Sequence, residues 1–588
     1  MQPLSNPTPF RQSFAQALPP NLPPPVFDVL MKVLQVETTD NLYRNLSNGD
    51  EKTFPARLLE SLGVQIRASE MDLDRIPKTG PVVGLSNHPF GIVEGAALAS
   101  LLPRIRPDVK IMANSMLRQF RELGDRIISV DPFGGPSATR ANLRGLREAI
   151  KWIESGGMLL VFPAGEVSQV QFEFPRVAVA DPVWSESIGR LLRITKAPAL
   201  PFFIDGRNSL LFHLAGLVHP RFRTALLPSE MLNKRRTSIE LRCGSLISPQ
   251  RLETLQSDRE LVEYLRWRTY LLSNRSRTAQ IRPLRGKPIA RPLPVHLPAT
   301  EPLCEHAEFQ VFCAKGSEIP QILREIGRLR EETFRLVGEG TGKSIDLDSC
   351  DNYYSHLFLW NKAVNEIAGA YRIGIVDEIV GERGLKGLYT HSLFDFDRSF
   401  LARLGPSLEL GRSFIAPKYQ RSFHPLLCLW KGIGRFVIEN APAHTLFGPV
   451  SISGEYCAAS RDLIASTLAE SSELARLVRA RRPLRRRHLA HRGRNLEELS
   501  ELIGDLEADG KSIPVLLRQY LKLGGRLLSF NVDPKFNHCL DGLITVDLSL
   551  TDLKLLERYM GREGAATFLD QNRERRLSLL SGPLHRPV

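Results

Sequence analysis

Cysteine is scarce. Cys243, Cys304, Cys313, Cys350, Cys428, Cys457 and Cys539 are scattered over 588 residues, an odd number with no Cys-x-x-Cys pair. The pattern excludes a disulfide framework and a cysteine zinc site, and the thiols read as reduced core or surface groups. His488 and His491, three apart, are embedded in arginines and lack further ligands, so no metal is expected. No stretch approaches the roughly 18 uninterrupted apolar residues that span a bilayer. The amino terminus is Pro-rich (Leu18-Pro19-Pro20-Asn21-Leu22-Pro23-Pro24-Pro25) and lacks the basic-then-apolar order of a signal peptide, so a cytoplasmic chain is expected. Acid is in deficit too. There are 64 Asp and Glu against 78 Lys and Arg, and the formal charge of +14 favours acidic partners.

What is present describes a folded chain, with 43% hydrophobic and 24% charged residues. Its length suits two large α/β domains. A Pro- and Arg-rich segment, 273–303, separates a first domain at 51–272 from a second at 304–560. A Pro-rich, helical extension (1–50) and a basic tail (561–588) flank them. A second basic block runs through Arg476, Arg479, Arg481, Arg482, Arg485, Arg486, Arg487, Arg492 and Arg494. It has no aromatic residue for base stacking, so anionic lipid headgroups or an acidic carrier protein are expected rather than nucleic acid, with a solvated basic loop as the alternative.

The most informative stretch is Ser86-Asn87-His88-Pro89-Phe90-Gly91-Ile92-Val93-Glu94-Gly95, which follows the apolar run Pro81-Val82-Val83-Gly84-Leu85. A neutral imidazole takes a hydroxyl proton near neutral pH, and a nearby carboxylate fixes its tautomer and stabilises the imidazolium. His88 and Glu94 are therefore candidate catalytic residues, a base without a protein nucleophile. A second motif, Gly157 to Ser168, carries an apolar strand into Phe162-Pro163-Ala164-Gly165-Glu166-Val167-Ser168, and strand ends are where ligands sit in α/β proteins. Between them, a loop from Val130 leads into an amphipathic helix, Leu143 to Ile153, with Arg140 near its start. Ala197 to Ile204 reads as another buried strand.

In this order the four pieces resemble the glycerolipid O-acyltransferases. The resemblance implies that His88 deprotonates an acceptor hydroxyl, which attacks an acyl thioester directly. It makes Asn87, Phe90, Arg140, Phe162, Pro163, Gly165, Glu166 and Ser168 candidate substrate-binding residues. Two departures stand out. The family's Asp lies five residues after His, where this chain has Val93 and puts Glu94 one place later. The usual Phe-Pro-Glu-Gly-Thr-Arg also loses its Glu and Arg. Arginine is the natural bidentate phosphate ligand, so its absence suggests an acceptor without a glycerol phosphate.

The second half opens with an amphipathic helix, Ile319 to Leu336. Strand-like runs follow at Ser355 to Trp360, Glu366 to Ile373 and Ser407 to Ile415. The polar turn Pro417-Lys418-Tyr419-Gln420-Arg421 precedes a helix from Leu426 to Ile438, and a basic turn at a helix start suits an anion. Glu409 is a candidate base for a substrate amine. Arg412, three residues on, falls on the opposite strand face unless a bulge intervenes. Arg372 is a candidate partner for an amino acid carboxylate, and Asp346, Asp348 and Asp351 are candidate side-chain ligands. A structural charge network is the alternative for Glu409 and Arg412.

Gly369-Ala370-Tyr371-Arg372, Glu409-Leu410-Gly411-Arg412-Ser413, Phe447-Gly448-Pro449-Val450-Ser451-Ile452-Ser453 and Phe530-Asn531-Val532-Asp533-Pro534 resemble the acyl-carrier-protein-dependent branch of the GNAT acyltransferases. The two halves together resemble the bifunctional ornithine lipid synthases. That resemblance implies that the second half transfers a 3-hydroxyacyl group from acyl carrier protein phosphopantetheine to the α-amine of ornithine. The first half then acylates the new hydroxyl of the lyso-ornithine lipid. No bound cofactor is expected, and the chain is expected at an anionic membrane surface. Glycine, glutamine or lysine remain alternative acceptors, as does a non-catalytic membrane protein.

Overall fold

Val82–Ser86, Met158–Val161 and Ala199–Ile204 are apolar along their length, which suits parallel strands covered on both faces, and every residue in them is buried. The computed structural model describes residues 31–32, 34–47, 53–114, 121–130, 136–173, 176–218, 220–275, 286–292, 295–297, 301–440, 443–485 and 495–573. They form two units that divide between Arg275 and Ser276, both mixed α/β.

The first unit holds nine strands: β1 (Gln65–Arg67), β2 (Val82–Ser86), β3 (Val109–Asn114), β4 (Ile127–Val130), β5 (Met158–Val161), β6 (Gln169–Glu173), β7 (Arg176–Ala180), β8 (Ala199–Ile204) and β9 (Ser238–Cys243). Seven form one sheet in the order β1-β9-β8-β2-β5-β3-β4, parallel except between β8 and β9, and β6 and β7 make a separate hairpin. Apolar clusters cover the sheet, one around Leu98, Leu102 and Phe202, the other around Ile153, Leu191 and Leu265. β2 pairs with β5 on one side and β8 on the other. Their carboxyl ends therefore deliver Asn87-His88, Phe162-Pro163 and Asp205 to one edge. α1 (Val93–Leu101) and α2 (Pro136–Glu154) follow β2 and β4. α3 (Leu210–Val218) and α4 (Pro220–Asn233) lie between β8 and β9, and α5 (Asp258–Leu271) comes after β9.

The second unit is built on an eight-stranded sheet. Its strands are β10 (Cys304–His306), β11 (Phe309–Lys315), β12 (Ser355–Asn361), β13 (Glu366–Ile375), β15 (Ser407–Ile415), β16 (Thr445–Ile452), β18 (Arg526–Asp533) and β19 (Cys539–Asp547), in the order β10-β11-β12-β13-β15-β16-β19-β18. The short strands β14 (Phe394–Phe396) and β17 (Val478–Ala480) pair separately. All neighbours in the large sheet are antiparallel except β15 and β16, whose parallel pairing covers only Ser407–Glu409 and Thr445–Phe447. Beyond that point the two strands part. A cavity lined by Leu410, Gly448, Pro449, Tyr520 and Ile544 opens at the parting. α6 (Pro320–Leu336) buries Ile322, Ile326 and Phe334 against Phe312, Phe358 and Phe414, and α7 (His424–Glu439) packs on α8 (Leu553–Gln571).

The boundaries shift in three places. Arg275 makes a buried ion pair with Asp72 at 2.5 Å, so the first unit extends past residue 272. Lys287 and Ala290 donate backbone hydrogen bonds to Gly342 and Ser344, which ties that part of the 273–303 segment to the second unit. α8 kinks at Gly561, which takes a left-handed φ of 75°, and the helical turns beyond it bury Ala565 and Phe568, so the first part of the supposed tail is core. Residues 1–30, His488, His491 and Arg486 to Arg494 lie outside the described residues. Arg479 and Arg481, which are described, pair with Asp395. Among the described residues no helix is long and apolar enough to cross a membrane, and no His, Cys, Asp or Glu group is arranged to hold a metal.

Arg106 staples the first sheet at the end away from these loops. It is fully buried, binds Asp108 at 2.6 Å, and donates to the carbonyls of Pro77, Gly80 and Gly156. Arg106→Met should destabilise the first unit by about 3–5 kcal/mol, because those carbonyls and Asp108 lose their partner. Chemical denaturation of the full chain measures it.

Candidate functional site

Glu94 stands at the start of α1, where helix amides point outward. It is fully buried. Its Oε1 lies 2.9 Å from His88 Nδ1 and accepts hydrogen bonds from the Phe90 and Gly91 amides at 2.8 and 2.7 Å. The loop closes this tightly because Gly91 takes a left-handed φ of 99°, and a Cβ there would meet Leu227 at 2.5 Å. Burial works against the His88 imidazolium, but the Glu94 carboxylate outweighs it and holds the pKa above the usual value. Burial likewise opposes ionisation of Glu94, and His88 with the two amides wins, keeping it below the usual range. With Nδ1 turned to Glu94, Nε2 is the nitrogen left to take a proton. The ring leans on Phe162, centroids 4.5 Å apart.

The other candidates of this unit divide. Asn87 spends its amide on β8, donating to the Ile204 carbonyl and accepting from its amide. Phe90 is buried and carries Lys234 over its ring. The Pro163 carbonyl accepts from Ser185, and Gly165 forms the exposed turn with φ 66°. Glu166 pairs with Arg223 of α4, a cation that sequence reasoning did not single out. Arg140 belongs to α2, and its side chain lies outside the described residues.

Sequence reasoning also missed Asp181. Fully buried, it accepts the His88 amide at 3.1 Å and the Ser168 hydroxyl at 2.6 Å on Oδ1, and the Trp184 indole at 3.0 Å on Oδ2. Ser168 in turn donates its amide to the His88 carbonyl. One carboxylate thus joins the two motifs. Its only trace in the sequence is a lone acid between Ala180 and Pro182.

In the second unit one face of the sheet collects charge. The register puts Arg372, Glu409, Ser451, Asp541 and Asp533 on that face. β15 carries a bulge, since Arg372 faces Gly411 while Ala370 faces Phe414, and Arg412 sits in it with φ 50°. The bulge turns Arg412 to the Glu409 side, where its guanidinium lies over Tyr389 and Phe536. Glu409 accepts from the Tyr389 and Thr390 amides and from the Tyr354 hydroxyl. Arg372 is buried against Asp348 at 2.7 Å and Asp351 at 3.1 Å, Arg330 binds Asp351 at 2.9 Å, and Arg412 reaches Asp346 at 3.4 Å. The three aspartates read as possible substrate ligands are therefore counter-ions of internal arginines.

Beyond that network carboxylates are in surplus. Glu339, set between two left-handed glycines, binds Ser451 Oγ at 2.9 Å, and Ser451 faces Asp541 across the strands. Burial pushes the Glu339 carboxyl up to about 7, against the pull of Ser451 and Arg412. Burial, with Asp533 and Glu339 adding to it, raises Asp541 as well, and its Oδ2 is buried without a hydrogen-bond partner. In the following turn Lys418 is taken by Glu366 and Gln420 binds the Ile415 carbonyl, while Arg421 is exposed beside the uncapped start of α7.

A family model described as "Acyltransferase" matches residues 13–279, and one described as "Acetyltransferase (GNAT) domain" matches residues 329–431. A "Glycine N(alpha)-acyltransferase" of Phocaeicola vulgatus is 32% identical over 244 residues, covering 38% of this chain and 74% of that protein. A "Lyso-glycine lipid O-acyltransferase" of the same organism is 25% identical over 211 residues, covering 34% and 71%. A solved structure, the 1-acyl-sn-glycerophosphate acyltransferase PlsC of Thermotoga maritima, aligns over 37% of this chain and 73% of that one at 18% identity with a TM-score of 0.24.

A base must be neutral to accept a proton, so any reaction through His88 speeds up as pH rises through its pKa. The Glu94 pairing puts that acid limb above pH ~6.5, the ordinary histidine value. Glu94→Gln removes the anion and leaves burial, so the limb should move to lower pH while the plateau rate falls on the order of 100- to 10,000-fold. A pH–rate profile of ester formation reads both.

Proposed function

Because the chain belongs to the GNAT acyltransferase family of the glycine N(alpha)-acyltransferases and carries a lipid O-acyltransferase domain ahead of it, we propose that it makes a diacylated aminoacyl lipid in two steps. The observation that carries this reading is the His88–Glu94 pair in the same chain as the split GNAT sheet. In the first step an amino acid nitrogen attacks the carbonyl of a 3-hydroxyacyl thioester. A C–N bond forms, the C–S bond breaks, and the amine proton passes to a carboxylate on the charged face. Glu409 holds the Tyr389–Thr390 turn there, and Glu339 exchanges a proton near neutral pH. In the second step His88 Nε2 takes the proton of the new 3-hydroxyl as that oxygen attacks a second thioester, and the thiolate leaves with a proton. No protein nucleophile takes part.

Acyl carrier protein is the proposed donor. The β15–β16 ladder ends after Glu409 and Phe447, and an extended pantetheine arm is proposed to add there as a strand does. Arg421 and the start of α7, where the His424 and Leu426 amides flank Pro425, suit its phosphate, and the charge of +14 suits an acidic carrier. The activity of the relatives favours glycine as acceptor. The surplus of buried acid at Glu339, Asp533 and Asp541 favours a second reading, an acceptor with a further cationic group such as ornithine.

Lipid profiling in a host that makes neither glycine nor ornithine lipids tests the scheme and identifies the amino acid. His88→Ala should accumulate the mono-acylated lipid. Glu409→Ala should abolish both products until synthetic lyso-lipid is supplied, which should then be esterified at the normal rate. Diacyl product from the His88 variant, or failure of the Glu409 variant to use supplied lyso-lipid, refutes the assignment of the two steps.

A further inference from the structure

α3 is almost wholly apolar, and its role is not explained by the chemistry at His88. Phe212 faces inward and closes a small core with Val167, Ala225 and Leu226. The opposite side turns Leu210, Leu211 and Leu214 outward, 73%, 59% and 51% exposed. Positions i, i+1 and i+4 share one helix face, so the three make one patch rather than isolated leucines. Contiguous apolar surface of this kind marks a membrane or partner contact.

Two observations name the occupant. Cations edge the patch at the amino end of the helix. Arg207 is exposed just before it, the Lys234 ammonium binds the Arg207 carbonyl at 2.8 Å, and Arg235 and Arg236 follow in the open. The neighbouring acid, Glu230, is buried, binds the Ser209 amide at 2.9 Å and lies 3.8 Å from the Lys234 ammonium, so the open charge at this edge is that of the arginines. Leucines bordered by exposed guanidinium groups match an anionic leaflet. The patch is also continuous with the His88 loop. Lys234 lies 5.0 Å over the Phe90 ring, Asn208 donates to the Phe90 carbonyl at 3.2 Å, and the Phe90 amide is one of the two that hold Glu94. An acceptor whose tail stays in a bilayer while its hydroxyl meets His88 requires such a face beside the base.

We infer that α3 is a membrane-docking helix, seating Leu210, Leu211 and Leu214 among the acyl chains of an anionic leaflet with Arg207 and Arg235 at the headgroups. The inference rests on the reading of the first unit as a lyso-lipid O-acyltransferase. The test uses the full chain carrying Leu210→Ser, Leu211→Ser and Leu214→Ser together, and a second variant with Arg207→Glu and Arg235→Glu. Sedimentation with vesicles of equal phosphatidylcholine and phosphatidylglycerol should show roughly tenfold or greater loss of binding for the triple variant. The charge variant should lose binding to these vesicles and not to pure phosphatidylcholine. Acylation of a vesicle-borne acceptor should fall in parallel, while a short-chain acceptor free in water is acylated at the wild-type rate, which also shows that the site is intact. Wild-type vesicle binding by the triple variant overturns the proposal, as does a dimer that it converts to monomer with vesicle binding unchanged. If the triple variant loses binding and the wild type acylates neither acceptor, docking stands and the functional reading falls.

Discussion

A carboxylate removed from water must be met by protons or cations, and both units are organised around that requirement. In the first, Glu94 is met by two amides of its own loop and by His88. The imidazole turns Nδ1 to the Oε1 of the buried acid, which leaves Nε2 outside that contact. Asp181 does the same one layer further back, tying the His88 backbone to Ser168. Removing either charge would therefore disturb more than its own contact.

The second unit meets the requirement differently. Arg330, Arg372 and Arg412 are inserted among Asp346, Asp348 and Asp351, so the middle of the charged face is neutralised from within. Its far end is neutralised only in part, by Arg412 and by Arg461 beside Asp541, and burial still leaves Glu339 and Asp541 holding protons more tightly than exposed acids do. Burial makes the neutral form of such carboxyls easier to reach than for an exposed acid. The β15–β16 ladder has its last pair at Glu409 and Phe447, so the end of the seam and the charged face adjoin.

Much of this was legible as pattern. The buried strands β2, β5 and β8 announce themselves as short apolar runs, and the helices by their period. The spacing of His88 and Glu94 left the pairing open, because six residues with a displaced acid close only if the chain reverses at Gly91. Asp181 and Glu339 were not legible, since a single acid between common residues has no pattern, and what matters is which distant strand or loop it reaches. The reading of Asp346, Asp348 and Asp351 as substrate ligands failed for the same reason: their arginine partners lie up to about 66 residues away in sequence.

The sequence by itself determined the two-part organisation, the apolar strands and the residue types available for proton transfer, because hydrophobic periodicity and local motifs act over a few residues. The tertiary structure decided which charges cancel. It did so through one bulge that turns Arg412 to the Glu409 side, one left-handed glycine that folds Glu94 onto His88, and one parallel seam that stops after three residue pairs. Each depends on strand register and burial, and a buried charge takes its strength from whatever the fold places within a few ångströms of it.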